Sequence, residues 1–392
     1  MGVPQFIAID YETALVDGTP SIEFYREDFR VISCAAAWYD ESGQIKSTYK
    51  EGEESIRKLL ASIQKDNIPV IVHNYSFEYG VTKYRFDIPL NWLADTMRLV
   101  QLFDNGGKAK NEDSLFDIEE NDDDSTYTTG LGLQASASRI LSAEFHNHKA
   151  PYYKYLVEHC EVKKGKEGAN LHLLPPDMLR AYNVADAEIT LRIYNTIEVA
   201  FAKEGFDWKK DHALYLSTST LVSNAQGRGL LVDLNMLRHN LQALRQDIQA
   251  IDEFFFTKFS KEIAILEDRY LEEAVATRKT EKGRDRARAN LLANPELYKF
   301  NLNSTTQKKN LFVDLLQIKP IYFTKKGAPA FGRVFLRQWG EGGECLAKRG
   351  TLLIAERQMT SLLELAENDS KWHLSLKAAG ARTGRLAGGS HG

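Results

Sequence analysis

The first 205 or so residues alternate short apolar runs with stretches of helical spacing, and few folds accept that pattern. Runs at 4–10, 31–38, 44–50 and 68–72 have the length and content of strands, whereas 53–66, 76–85, 130–142 and 176–203 carry the period of helices. Strands that take turns with helices predict an α/β domain, a mixed sheet flanked by helices. After about residue 205 the alternation ends. Asp233 is placed to cap a long amphipathic helix, and the region to about 292 is helical, with Phe254, Phe255, Phe256, Ile263 and Leu266 marking an apolar face. The chain is therefore expected to divide into 1–205, a helical 206–300, and 301–392.

Within the first region, three segments set acidic side chains at element ends. Phe6-Ile7-Ala8-Ile9 runs into Asp10-Tyr11-Glu12. Residues two apart on a strand share a face, so Asp10 and Glu12 are expected to project together. Val70-Ile71-Val72 leads through His73-Asn74-Tyr75-Ser76-Phe77 to Glu78. Tyr182 and Asp186 lie four apart in a helical stretch and so share a face. Four carboxylates and a phenol are then expected to converge.

Hydrolysis of a phosphodiester needs an activated water and charge stabilisation on the attacking and leaving oxygens, which two cations about 4 Å apart can supply. Hard cations take oxygen ligands. In such a site Asp10 would bridge the ions, Glu12 and Asp186 would complete one of them, Glu78 would help hold the other, and Tyr182 would orient the water.

In these motifs the chain resembles the 3′–5′ exonuclease domain of family A DNA polymerases, the bacterial polymerase I type, in the DEDD branch with a tyrosine before the last aspartate. The family's D-x-E, Asn-aromatic-Asp and Y-x3-D motifs correspond to Asp10-Tyr11-Glu12, Asn74 to Glu78, and Tyr182 to Asp186, and Asp95-Thr96-Met97 is similar to its D-T-M step. Glu78 departs from the family's aspartate. Its extra methylene displaces the carboxylate by about a bond length, where metal geometry tolerates only a few tenths of an ångström. The resemblance implies an RNase H-like fold, Mg²⁺ or Mn²⁺ at Asp10, Glu12, Glu78 and Asp186, and proofreading release of nucleotides from single-stranded DNA 3′ ends. Unpaired bases would lie near Asn74 and stack on aromatics such as Phe77 or Tyr75.

The second half carries the same resemblance. Gln226-Gly227-Arg228-Gly229-Leu230-Leu231-Val232-Asp233 looks like the family's step into the thumb, and Phe300-Asn301-Leu302-Asn303-Ser304 with Gln307 is similar to its F-N-x-x-S-x-x-Q segment. Thr324-Lys325-Lys326-Gly327 resembles the T-K-x-G loop, Arg357 falls where an arginine helix enters the palm, and Thr383-Gly384-Arg385-Leu386 resembles the T-G-R motif at the palm's base. This implies that a primer–template duplex is held by phosphate contacts from Lys279, Lys282, Arg284, Arg286 and Arg288, with Arg385 at the primer end. The family's nucleotide-binding aspartates and fingers helix do not occur before Gly392, so polymerisation is expected to require a second polypeptide carrying palm and fingers, or the remainder of a truncated chain. Alternatives are a non-catalytic DNA-docking subunit whose exonuclease site has decayed, with Glu78 as the sign, and a free-standing nuclease, which the thumb-like segments disfavour.

Composition sets outer limits. A net charge of −4 over 392 residues excludes indiscriminate adhesion to nucleic acid and confines binding to local basic patches. Three scattered cysteines make no disulfide framework, which fits a reducing cytoplasm. The start Met-Gly-Val-Pro-Gln leads straight into a predicted strand, so no signal peptide is expected, and no apolar run reaches the roughly 18 residues of a membrane span. Eight acids and no base lie in 111–125, the pattern of a solvated loop. His146, His148, His159 and Cys160 match no zinc spacing.

Overall fold

The computed structural model describes residues 3–16, 23–104, 130–142, 145, 148–378 and 387–388. The acidic segment 111–125, His146 and Arg385 lie outside these residues. Chain contacts separate two units, 1–230 with 373–392 and 231–372.

The first unit is built on a five-stranded mixed sheet. Its strands are β1 (Ile7–Leu15), β2 (Phe29–Tyr39), β3 (Ile45–Glu51), β4 (Pro69–Val72) and β5 (Asn91–Asp95), in the order β3-β2-β1-β4-β5. β1 pairs antiparallel with β2 and parallel with β4, and β4 pairs parallel with β5. Helices α1 (Glu53–Lys65), α2 (Tyr75–Val81), α3 (Thr96–Asp104), α4 (Leu133–Ile140), α5 (Ala150–His159), α6 (Pro176–Lys203) and α7 (Lys209–Arg228) surround it. A mixed sheet flanked by helices is the architecture that the alternation predicts.

Alternation along β1 assigns its two faces. Ile7, Ile9 and Tyr11 join a core with Ile56, Leu60 and Ile63 of α1 and with Tyr75 and Val81 of α2. Ala8 joins the opposite core, with Ala187, Leu191 and Ile193 of α6 and Leu99 and Val100 of α3. Asp10 and Glu12 continue the Ala8 side. The run predicted to end at Asp10 in fact continues to Leu15, so both acids sit inside the strand, followed by a bulge between Glu12 and Thr13. Charged residues at a strand's centre resemble a strand end in sequence; the ladder to β2 carries the backbone through them.

Helix α2 is placed by its neighbours. Asn74, before its first turn, adopts a left-handed conformation (φ 80°), which asparagine tolerates better than most residues. A methyl on Gly80 would lie 2.4 Å from the Phe24 ring, so that position admits only glycine at this approach. Residues 206–230, grouped with the second region on sequence, contribute α7, whose Ser223 Oγ donates to Ser76 O (2.9 Å) and whose Thr220 pairs with Tyr75 Oη (2.8 Å).

The second unit is helical: α8 (Leu234–Lys258), α9 (Ser260–Ala276), α10 (Glu281–Ala293), α11 (Thr305–Lys309) and α12 (Gly340–Ala366). Asp233 caps α8, accepting from Met236 N at 2.9 Å. Phe255, Phe259, Ile263 and Leu266 pack with Phe300, Leu302, Phe312 and Trp339 in one core, whereas the predicted face residues Phe254 and Phe256 are exposed. Ser304 accepts from Gln307 N (3.3 Å) while Gln307 Oε1 accepts from Asn301 N (2.6 Å), so the polar residues of this motif tie a turn. Among the described residues, no helix is long and apolar enough to cross a membrane.

Candidate metal centre

Asp10, Glu12 and Asp186 each offer a carboxylate oxygen within 4.8 Å of the others. Asp10 and Glu12 come from one face of β1, and Asp186 comes from α6, which packs over that face. Asn183 fixes the registry. Its Nδ2 donates to Asp10 Oδ2 (2.6 Å) and to Asp10 O (3.2 Å), while its Oδ1 accepts from Ser33 Oγ of β2 (3.1 Å). Spacing could have identified Asn183, since it lies three residues before Asp186 on the same helical face.

Three acids in a half-buried cluster oppose one another's ionisation. Burial, with the Asp186 charge added, pushes Asp10 up to about 8. Burial, with Asp10 and Asp186, raises Glu12 well above the usual carboxylate range. At Asp186 burial also acts upward, but Lys149 and His148 prevail and hold it below its usual value. Lys149 Nζ lies 3.0 Å from Asp186 Oδ2 and 2.5 Å from Tyr182 Oη, and His148 Nε2 lies 3.0 Å from Asp186 Oδ1. Neither residue was marked for this site by sequence; both sit at the start of α5, 37 and 38 residues before Asp186.

Tyr182 is buried, and its ring meets Tyr152 edge-on at 5.3 Å. Glu78 stands outside the group of three. It is buried on α2, and its Oε2 has no hydrogen-bond partner. Its backbone carbonyl accepts from Thr82 Oγ1 (2.7 Å), which also pairs with Tyr11 Oη (2.9 Å), so it lies toward the Tyr11 face of β1; burial first, and then the Asp10 charge, raises its own carboxyl well above the usual range, with Glu12 adding to this. The structure thus brings three of the four predicted carboxylates together and leaves the fourth beside them. The donor set, carboxylate oxygens plus one unpaired buried oxygen, fits a hard divalent cation such as Mg²⁺ or Mn²⁺.

The remaining predicted contacts fall on both units. Asn74 is exposed and Phe77 half-buried, whereas Tyr75 is buried and engaged by Thr220, so Tyr75 offers no stacking surface. Lys279, Lys282, Arg284, Arg286 and Arg288 are exposed. On α10, Lys282 and Arg286 form one stripe and Arg284 and Arg288 another on the opposite face, by the helical period. Arg288 also pairs with Glu272 (2.7 Å). Of the histidines that match no zinc spacing, His148 turns to Asp186 and His159 packs on Tyr155 (4.6 Å).

The cluster predicts a pH response in the metal-free protein. Asp10 has a folded value of about 8 against an ordinary 3.8, so its proton-bound form stabilises the fold fully below about pH 4, and that contribution is lost as pH rises through about 8. Melting temperatures in chelator, compared with Asp10→Asn, should show wild type losing roughly 3 °C or more relative to the variant between pH 4 and 8. Parallel curves would contradict the raised value.

No family model matches this chain, and no curated protein matches it. Among solved structures it is similar to the POL domain of Pol1 from M. smegmatis, described in complex with DNA primer-template and dNTP, with a TM-score of 0.56 at 13% identity over 98% of this chain. The chain spans about half, 51%, of that structure's length. The likeness shows a polymerase I-like fold.

Proposed function

We propose that this chain is the 3′–5′ exonuclease and DNA-binding portion of a family A DNA polymerase, with an RNase H-like first domain. The observation that carries the reading is the meeting of Asp10, Glu12 and Asp186 over one sheet face, with Tyr182 on the same helix as Asp186. The likeness to a polymerase described with primer–template supports DNA as the substrate class. Asp10, Glu12 and Asp186 would hold the divalent ions, with Glu78 reaching them from α2. When bound, Mg²⁺ or Mn²⁺ supplies an activated water and stabilises charge on the leaving oxygen. Asn183 keeps Asp10 oriented, Tyr182 directs the attacking water, and Asn74 and Phe77 receive the unpaired terminal nucleotides. Lys279, Lys282, Arg284, Arg286, Arg288 and Arg385 are assigned to duplex phosphates and the primer end, and nucleotide addition is assigned to no residue of this chain.

Glu78 separates this reading from that of a non-catalytic docking subunit. Its unpaired buried oxygen favours a ligand role. Glu78→Gln should weaken metal binding and slow digestion of single strands by about 10–100-fold, the range seen when a group that supports a metal is lost, while Glu78→Asp keeps or raises activity. Wild-type rates and metal affinity in both variants would remove Glu78 from the site. A wild-type chain that binds primer–template but never cuts would favour the docking subunit.

A further inference from the structure

Both oxygens of Asp186 already face side-chain nitrogens. Lys149 Nζ is 3.0 Å from Oδ2, and His148 Nε2 is 3.0 Å from Oδ1. The same ammonium is 2.5 Å from Tyr182 Oη and lies 4.8 Å from the centre of that ring, with only 14% of the Lys149 side chain exposed. The Lys149 ammonium thus touches both the carboxylate meant for a metal and the phenol meant for the water. A divalent ion coordinated by Asp186 Oδ2 would sit about 2.0–2.4 Å from that oxygen, inside the space an ammonium at 3.0 Å repels.

We infer that Lys149 is a resident counter-cation of this site, which occupies the Asp186–Tyr182 corner in the metal-free protein and must leave it when a divalent ion binds. The inference rests on the metal-site reading above. In the metal-free chain Lys149 keeps a half-buried acidic cluster assembled and occupies the Tyr182 oxygen. Its departure frees both groups at once, so metal loading and release of the phenol become a single event. The side chain suits this exchange: it is long and unbranched and springs from the residue before the first turn of α5, so the ammonium can swing outward without moving α6. The cost of displacing it lowers metal affinity below what the same carboxylates alone would give.

The test is titration of the full chain with Mn²⁺, following free ion by electron paramagnetic resonance, in wild type, Lys149→Met and Lys149→Arg. Lys149→Met should bind its first Mn²⁺ about tenfold tighter than wild type, and Lys149→Arg should stay within a few-fold of wild type. Equal or weaker binding by Lys149→Met overturns the inference. A second measurement needs no variant. Acylation of wild-type lysines by an amine-reactive ester, located by mass spectrometry, should increase several-fold at Lys149 when Mn²⁺ is added; unchanged or lowered labelling contradicts displacement. The metal-site reading fails separately: if neither wild type nor Lys149→Met takes up Mn²⁺ at millimolar concentration, there is no metal site for Lys149 to guard.

Discussion

Asp10→Asn should abolish metal-dependent digestion of single-stranded DNA while leaving the chain folded. The variant keeps the shape of the side chain, and Asn183, which now donates to Asp10 Oδ2, can pair with the new amide oxygen after a flip. What it removes is one of the three carboxylates that converge between β1 and α6. Losing a hard ligand there should forfeit several kcal/mol of charge stabilisation in the transition state, a rate loss on the order of 10³-fold. It also removes a group whose ionisation is opposed by burial and by Asp186, so the metal-free variant should melt higher than wild type near pH 8. A slow but more stable variant is the signature of a functional acid. An equally active one would show that Asp10 holds no catalytic ion.

Asp95→Ala should be the most damaging single change to the first unit's stability. Asp95 is fully buried, and its carboxylate accepts from Asn74 N (2.9 Å), Tyr75 N (3.0 Å), Met97 N (2.9 Å) and Tyr215 Oη (2.7 Å). Two of these donors are the orphan amides at the start of α2, so Asp95 caps that helix from a neighbouring strand. Its own amide donates to His212 Nε2 (2.9 Å), which requires a neutral ring, and burial lowers His212 to about 4. Alanine leaves Tyr75 N, which is buried, and three part-buried donors without their acceptor, for a loss of about 3–5 kcal/mol and a fall in melting temperature of roughly 10 °C. Asp95→Asn should lose less, because it still accepts two of the bonds. Since Glu78 rides on α2, exonuclease activity should fall in Asp95→Ala even below its melting temperature. A melting point within 2 °C of wild type, on the order of a surface substitution, would refute the capping role.

What could be read in advance follows from where the information sits in the chain. β1, β4 and α6 carry their signals within a dozen residues, in apolar alternation or helical period, and Asp10, Glu12 and Asp186 were found from those signals because each is local to its element. Strand β5 and helix α3 were not predicted. Asn91-Trp92-Leu93-Ala94-Asp95 is short and bounded by polar residues, and its extended form depends on parallel pairing with β4, a contact across more than twenty residues. Helix α5 was hidden by Pro151 and by a weakly patterned face. With α5 unseen, Lys149 and His148 could not be placed on Asp186. Asp95 was legible as part of a motif but not as a cap, because its partners come from α2 and α7. The position of Glu78 was legible only as a departure. Its burial toward the Tyr11 face reflects how α2 packs, which neither its spacing nor its identity encodes.

The central claim is that the Asp10, Glu12 and Asp186 cluster makes this chain a metal-dependent 3′–5′ exonuclease, and digestion of a 5′-labelled single strand by the wild-type chain tests it most directly. With Mn²⁺ or Mg²⁺ the label should descend through a ladder of products each one nucleotide shorter, with mononucleotides released, and a matched blunt duplex should be cut far more slowly because its terminal bases stay paired. Excess chelator should stop the reaction. Digestion that persists in chelator, or a full-length label after prolonged incubation with either ion, would contradict the account.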